Sequence, residues 1–366
     1  MVRAAVQVAP RTIELREFAR PVIGPDDGLL RVEANGICGS DVEVYKGHMG
    51  REGRGPFVPG HEPLGIIEEV GEKAAARWGV QPGDRVAVEV IVPCRACHDC
   101  LTGRYQSCRN RGNTHGVTGV DVAPSLYGGL AEYLYLSPNV VLHKVSRELP
   151  AELAVMFNPL GAGVRWAVHL GGVGMGDTVL VLGAGQRGLG AVIAARAVGA
   201  GTVIVTGLAA DAHKLALARE FGADHTLVVD DGSTPDLIEA VGDLTNGRMA
   251  DVVLELTPMA AEPVGQALLA ARHAGTVVLA GLKGGAEIPL RTDLIINRAL
   301  TVRGAFGVDA RGYADAIAII ESRRFPLEKL HTHSFDLADT ALALETLSGA
   351  VEGAGAVHVS VHPNGR

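Results

Sequence analysis

The run Val179-Leu180-Val181-Leu182 passes directly into Gly183-Ala184-Gly185-Gln186-Arg187-Gly188 and then into an Ala-rich stretch of helical character. Few folds accept a buried strand that turns on three glycines at this spacing and feeds a helix at once. Gly183 permits the tight turn, Gly185 lets a phosphate approach the backbone, and Gly188 lets helix and strand pack closely, while the new helix aims its free N–H groups at the turn. Gln186 and Arg187 fill the remaining turn positions. A ligand-free turn could use the same glycines, but the flanking strand and helix are the context that a dinucleotide requires. The alternation then continues. Strands are expected at Val203 to Thr206, Thr226 to Val229, Asp251 to Leu256 and Thr276 to Ala280, with Ala- and Leu-rich helical stretches between most of them, and a further strand signal follows the alternation at Leu300 to Arg303. This is the pattern of an α/β protein built on a doubly wound parallel sheet.

Upstream the texture differs. From Val2 to Leu142 short β-rich runs (Leu29 to Ala34, Ile66 to Val70, Arg85 to Val88, Leu130 to Leu136) are separated by turns such as Gly24-Pro25-Asp26-Asp27-Gly28, so this half is mostly β. Helical character begins near Pro150, and after residue 300 come helices near Tyr313 to Ser322 and Thr340 to Leu347 and a closing alternating run from Ala356 to Val361. The 366 residues, 47% apolar and 20% charged, suffice for more than one core. A net charge of −8 with no basic run removes the electrostatic basis for binding nucleic acid. No apolar stretch is long enough to span a membrane, and Met1 to Val6 lacks a signal-peptide core, so a cytoplasmic protein is expected.

The five cysteines are an odd number and fit a disulfide framework poorly; in a reducing compartment clustered thiols point to metal. Cys94, Cys97, Cys100 and Cys108 stand as Cys-x2-Cys-x2-Cys-x7-Cys in a Gly- and Pro-containing loop at residues 93–112. Four thiolates close a tetrahedral zinc shell and leave no open position, which marks a structural site. An iron–sulfur cluster would also take four thiolates, but the Cys-Pro ending of the bacterial ferredoxin run is absent. The fifth thiol, Cys38, lies in Gly36-Ile37-Cys38-Gly39-Ser40-Asp41, and downstream comes Gly60-His61-Glu62-Pro63-Leu64-Gly65. Cys38, His61 and Glu62 offer thiolate, imidazole and carboxylate, the donors zinc accepts. Taken alone, the pair reads equally well as a core thiol and a satisfied histidine; the other motifs tip the balance towards metal.

About 20 residues beyond the glycine turn, a carboxylate usually holds the adenosine ribose. Here the second strand ends in Gly207. No acid repels a 2′-phosphate and no arginine follows to bind one. Asp211 could reach the ribose, and His213 and Lys214 could favour the phosphate, each being equally a solvated helix residue. The cofactor is NAD or NADP, with NAD marginally favoured.

Thiolate, His-Glu pair, four-cysteine lobe and dinucleotide turn, in this order over essentially the whole chain, resemble the zinc-dependent alcohol dehydrogenases of the medium-chain dehydrogenase/reductase superfamily. The resemblance implies a mostly-β GroES-like catalytic domain over residues 1–157 and 301–366, a Rossmann domain over 158–300, and an active site in the cleft between them. It implies two zinc ions per chain, one catalytic and one structural, hydride exchange between an alcohol and a nicotinamide, and a homodimer or homotetramer. Matched residue by residue, Cys38 and His61 resemble catalytic zinc ligands, and Glu62 the neighbouring acid that reaches the metal in some members. Ser40 stands where the family has the hydroxyl that takes the substrate's proton. Asp41 matches the carboxylate that orients the ligand histidine, a role with a clear physical basis.

Three positions depart from the family pattern. Glu43 replaces a histidine at the outer end of the proton relay, where a carboxylate is a poorer match to neutral pH. Arg187 replaces a small apolar residue behind the nicotinamide, and either grips the pyrophosphate or turns to solvent. Asn158 occupies the third ligand position, where Cys, Asp or Glu is usual; its alternative role is to cap a helix beginning near Pro159. Tyr45, His48, Phe57 and Trp166 are candidate pocket residues, while His331 and His333 read as a surface turn. Two other readings stand beside the dehydrogenase: a zinc-free quinone or enoyl reductase of the same superfamily, and a non-enzymatic NAD-binding redox sensor. Cys38 and Ser40-Asp41 beside a His-Glu pair argue against both.

Overall fold

The computed structural model describes residues 1–48, 55–229 and 234–365. The chain forms two compact units, one of residues 1–158 and 331–366, the other of residues 159–330.

The second unit is a six-stranded, all-parallel sheet. Its strands, numbered along the whole chain, are β8 (Thr178–Leu182), β9 (Thr202–Gly207), β10 (His225–Val228), β11 (Ala250–Glu255), β12 (Ala271–Leu279) and β13 (Thr301–Gly304), in the order β10-β9-β8-β11-β12-β13. The order reverses between β8 and β11, and a doubly wound sheet binds its ligand at the carboxyl end of such a switch point. Buried runs such as Val179-Leu180-Val181-Leu182 are what a strand covered on both faces needs. Leu180, Ile204, Val253 and Val277 pack against Leu237 and Val241 of the helix Thr234–Leu244 and against Ala267 and Leu268 of the helix Glu262–Ala270. The five strands of the expected alternation are present, β12 starting earlier at Ala271, and β13 answers the separate strand signal at Leu300 to Arg303. The unit extends past the expected boundary at residue 301 because β13 pairs with β12 in register, Thr301 beside Thr276, and so completes this sheet.

In the first unit a hairpin of β1 (Val2–Ala9) and β2 (Thr12–Phe18) stands beside a seven-stranded sheet. That sheet runs β14-β15-β3-β4-β5-β7, with β6 paired to β3; the ranges are β3 (Gly28–Ile37), β4 (Pro63–Val70), β5 (Arg85–Val88), β6 (Tyr133–Leu136), β7 (Leu142–Lys144), β14 (His331–Asp336) and β15 (His358–His362). Leu30, Val32, Ile67, Val86, Val88, Leu134 and Leu136 fill its interior. Ile37 and Val359 join Tyr45 and Val42 of the helix Gly39–Lys46 and Leu344 of the helix Thr340–Leu347 in a second cluster. His331 and His333 lie on β14, paired in parallel with β15, and not on a surface turn. Among the described residues no helix is long and apolar enough to cross a membrane.

Candidate active site

Cys38 ends the β3 ladder and caps the next helix. Its Sγ accepts from the backbone N–H of Ser40 at 3.4 Å and from Ser40 Oγ–H at 3.1 Å, at the helix start where free N–H groups concentrate positive potential. Asp41, 6% exposed, uses both oxygens. Oδ2 accepts from the Cys38 N–H at 2.9 Å, and Oδ1 lies 3.0 Å from His61 Nδ1. One carboxylate therefore fixes the backbone of Cys38 and the ring of His61 together, and leaves His61 Nε2 to face Glu62 Oε1 at 3.9 Å. The donor atoms of Cys38, His61 and Glu62 all lie within 4.8 Å of one another. Burial pulls the His61 pKa down, but the charge and hydrogen bond of Asp41, joined by Cys38, hold it well above the ordinary 6.5. A cationic imidazole amid thiol and carboxylates is the charge balance that a divalent metal would replace. The donor set and the carboxylate–histidine bracket fit zinc.

The other predicted residues have definite places. Ser40 and Glu43 share a face of the helix Gly39–Lys46, three residues apart. Glu43 is bonded to His48 Nδ1 at 2.9 Å and paired with Lys46 at 3.5 Å. Asn158 is 1% exposed and sits in the first turn of the helix Phe157–Val164, which starts one residue before it, so it does not cap a helix beginning at Pro159. Tyr45 and Phe57 are packing residues: the Tyr45 hydroxyl bonds the Arg11 carbonyl and Glu345, and Phe57 bridges Gln7 and Gly119.

The four-cysteine lobe brings Cys94, Cys97, Cys100 and Cys108 together, with Sγ separations of 3.5 Å (Cys97–Cys100), 3.8 Å (Cys97–Cys108) and 3.9 Å (Cys94–Cys100). Disulfides need about 2.05 Å. Four sulfurs at zinc bonding distance stand roughly 3.8 Å apart around a tetrahedron. The N–H groups of Ala96 and Cys97 lower the Cys94 thiol to about 6, whereas burial and the neighbouring thiols push Cys100 up to about 12. Such a divided set cannot ionise fully without a cation at its centre. The lobe is tied to the sheet by Glu89, 1% exposed, whose oxygens meet the Tyr105 hydroxyl at 2.6 Å and His143 Nε2 at 2.8 Å.

At the glycine turn, Gly183 has φ +109°, a left-handed conformation natural to glycine. A Cβ on Gly188 would lie 2.0 Å from the Gly183 carbonyl, so that position admits no side chain. Gln186 is buried at the helix start. Arg187 neither turns to solvent nor stands alone: its guanidinium lies over the Trp166 ring at 5.3 Å, and Trp166 is 4% exposed with Nε1–H donating to Gly307. Gly207 closes β9, and beyond it Lys214 Nζ donates to Asp211 Oδ1 at 2.7 Å. One residue beside the site carried no recognisable sequence signal: His115, fully buried in a loop, whose relation to His61 arises only in three dimensions.

Comparison with known proteins agrees with this geometry. Residues 24–147 match the model of the alcohol dehydrogenase GroES-like domain, and residues 188–322 that of the zinc-binding dehydrogenase. A probable alcohol dehydrogenase of Mycobacterium tuberculosis is 44% identical over 99% of both chains. An erythritol/L-threitol dehydrogenase of Mycolicibacterium smegmatis is 34% identical over 99% of this chain and 98% of its own. Among solved structures, a putative zinc-binding dehydrogenase from Sinorhizobium meliloti, bound to NADP, superposes with a TM-score of 0.85 at 30% identity, covering 99% of each chain. The chain belongs to the zinc-dependent alcohol dehydrogenases of the medium-chain dehydrogenase/reductase superfamily. It is an oxidoreductase of alcohols or polyols that uses zinc and a nicotinamide cofactor.

Proposed function

We propose that Cys38, His61 and Glu62 hold the catalytic zinc, with Asn158 as a further ligand, and that the four cysteines at 94, 97, 100 and 108 hold a second, structural zinc. The observation that carries this reading is the double hydrogen bond of Asp41, which seats two of the donors with one side chain. Bound there, zinc would supply Lewis acidity to a substrate hydroxyl, and a nicotinamide would supply the hydride acceptor. The chain's own residues do the rest. Asp41 keeps the proton on His61 Nδ1, so that Nε2 offers a lone pair. Ser40 Oγ receives the substrate proton and gives up its own towards Glu43, one turn along the same face. His48, bonded to Glu43 and exposed to solvent, ends that path.

In the second unit, Gly183, Gly185, Gln186 and Gly188 are proposed to form the pyrophosphate cradle, and Arg187 to brace it from the face of Trp166. NAD is favoured marginally over NADP, because the charge of Lys214 is already matched by Asp211 and is less free to attract a 2′-phosphate. The substrate class is a secondary alcohol or polyol, the reaction running in both directions. The test is Cys38→Ala. It is expected to abolish oxidation of every alcohol while leaving NAD and NADP affinity within a few-fold, because the glycine turn lies on a separate unit. Ordinary turnover by this variant would overturn the zinc assignment.

A further inference from the structure

His115 is 0% exposed, and it is held from two sides. Its backbone N–H donates to the Val90 carbonyl at 3.3 Å, and its ring Nδ1 lies 2.8 Å from the Glu89 carbonyl. A carbonyl only accepts, so Nδ1 carries the hydrogen and Nε2 presents a lone pair. That buried Nε2 has no hydrogen-bond partner among the described residues. Burial lowers the His115 pKa to about 4, in line with the neutral ring that the Glu89 carbonyl requires.

The loop that carries it presses on the metal-ligand turn. A Cβ on Gly116 would lie 2.9 Å from the Gly60 carbonyl group and 3.1 Å from His61 Cβ. The strand exit at Glu89 is in turn anchored by Tyr105 and His143, so the His115 ring is fixed by the framework of the fold. His115 is not among the side chains whose donor atoms gather within 4.8 Å at the Cys38 centre, and its neighbour Gly116 abuts the Gly60–His61 turn. A desolvated lone pair without a donor is unfavourable, and it discriminates between ligands that can donate and ligands that cannot.

We infer that His115 Nε2 accepts a hydrogen bond from a second hydroxyl of the substrate, next to the one oxidised, and so selects vicinal diols and polyols over simple alcohols. The inference rests on the proposed zinc site at Cys38 and His61. It names a specificity residue for that site.

The experiment compares kcat/KM for butane-2,3-diol, 3-methoxybutan-2-ol and butan-2-ol in the zinc-loaded enzyme, in His115→Leu and in His115→Gln. The methoxy compound keeps the bulk of the diol but has no proton to donate at the second position. Wild type is expected to prefer the diol over both analogues. In His115→Leu the diol-to-methoxy ratio should fall about tenfold, the value of one hydrogen bond to a buried acceptor. His115→Gln, which restores an acceptor, should recover part of it. Zinc per chain should be unchanged in both variants. Diol-stabilised melting, measured without turnover, should weaken in the leucine variant in parallel. A ratio that stays at the wild-type value, or a leucine variant that loses zinc and all substrates equally, overturns the inference. If wild type oxidises none of the three while still binding NAD, the underlying site assignment fails instead, and the two failures are thereby separate.

Discussion

Asp41→Asn isolates the group on which the proposed zinc site turns. The carboxylate now accepts twice, from Cys38 N–H at 2.9 Å and from His61 Nδ1 at 3.0 Å. A carboxamide of the same shape has one oxygen and one NH2 group, so it can accept only one of these bonds. If its oxygen stays on Cys38, its NH2 faces His61 Nδ1 and favours the tautomer with the proton on Nε2, the nitrogen a metal needs. If its oxygen turns to His61, the NH2 confronts the Cys38 N–H. At 6% exposure Asp41 has little water to stand in for the lost bond. Outer partners of metal-ligating histidines typically contribute about 10- to 100-fold in metal affinity. That is about 1.4 to 2.7 kcal/mol, and it should fall on one zinc only, since the cysteine lobe has its own supports. The assay is zinc release into a chromogenic chelator, which should be biphasic. Asp41→Asn should accelerate the fast phase 10- to 100-fold, leave the slow phase untouched, and depress turnover. If both phases and turnover keep their wild-type values, the bracket does not seat the ligands.

Cys97→Ser should remove about one zinc per chain and lower the melting temperature, because three thiolates no longer close the shell; full stability with lost turnover alone would contradict a structural role. Gly207→Asp should sharpen the preference for NAD by repelling a 2′-phosphate. Its Cβ meets Leu215 Cδ2 at 3.1 Å and Asp211 Cβ at 3.3 Å, so some loss of stability should accompany the change. The kcat/KM ratio for NAD over NADP is the measurement, and a wild-type ratio above about a thousandfold, roughly 4 kcal/mol, would mean that other residues read this position. His358 makes stability fall in acid. Burial, and the His331 ring nitrogen 2.9 Å away, keep its pKa well below 6.5, so below that pH the unfolded chain binds the extra proton first. Melting temperature should drop as pH falls from 7 towards 5, and His358→Gln should flatten the drop; an equally steep profile in the variant would assign the effect elsewhere.

What the sequence revealed and what it hid follow a physical division. Strands β8, β9 and β11 are buried, largely apolar runs, β8 and β9 lead into glycine, and both signals are local. The cysteine lobe is legible because its ligands are neighbours in the chain. β2, in contrast, carries Glu14, Arg16 and Glu17 on a half-exposed hairpin, and its turn at Arg11 takes a left-handed φ of 56° without glycine. His331 to Asp336 has no apolar alternation because it is a sheet edge, and only its ladder with β15 makes it a strand. The boundary at residue 301 misplaces β13 for a similar reason: pairing, not texture, assigns an edge strand to its sheet. At the site, Cys38, His61 and Asp41 were visible as a motif. His115 was not, since a lone histidine between Thr114 and Gly116 acquires meaning only from the Glu89 carbonyl and the His61 turn.

The ladder of β15 has a consequence for the order of assembly. Val359, Ser360 and Val361 pair with Ile37, Gly36 and Asn35, the residues that lead into Cys38. The parallel sheet, by contrast, is complete at Gly304, more than fifty residues earlier in synthesis. On a growing chain the parallel sheet can therefore close first, whereas the strand that leads into Cys38 waits for β15, made more than fifty residues later. Cys38 reaches its final setting only when β15 pairs with β3, so the proposed zinc site is assembled after the parallel sheet that carries the glycine turn.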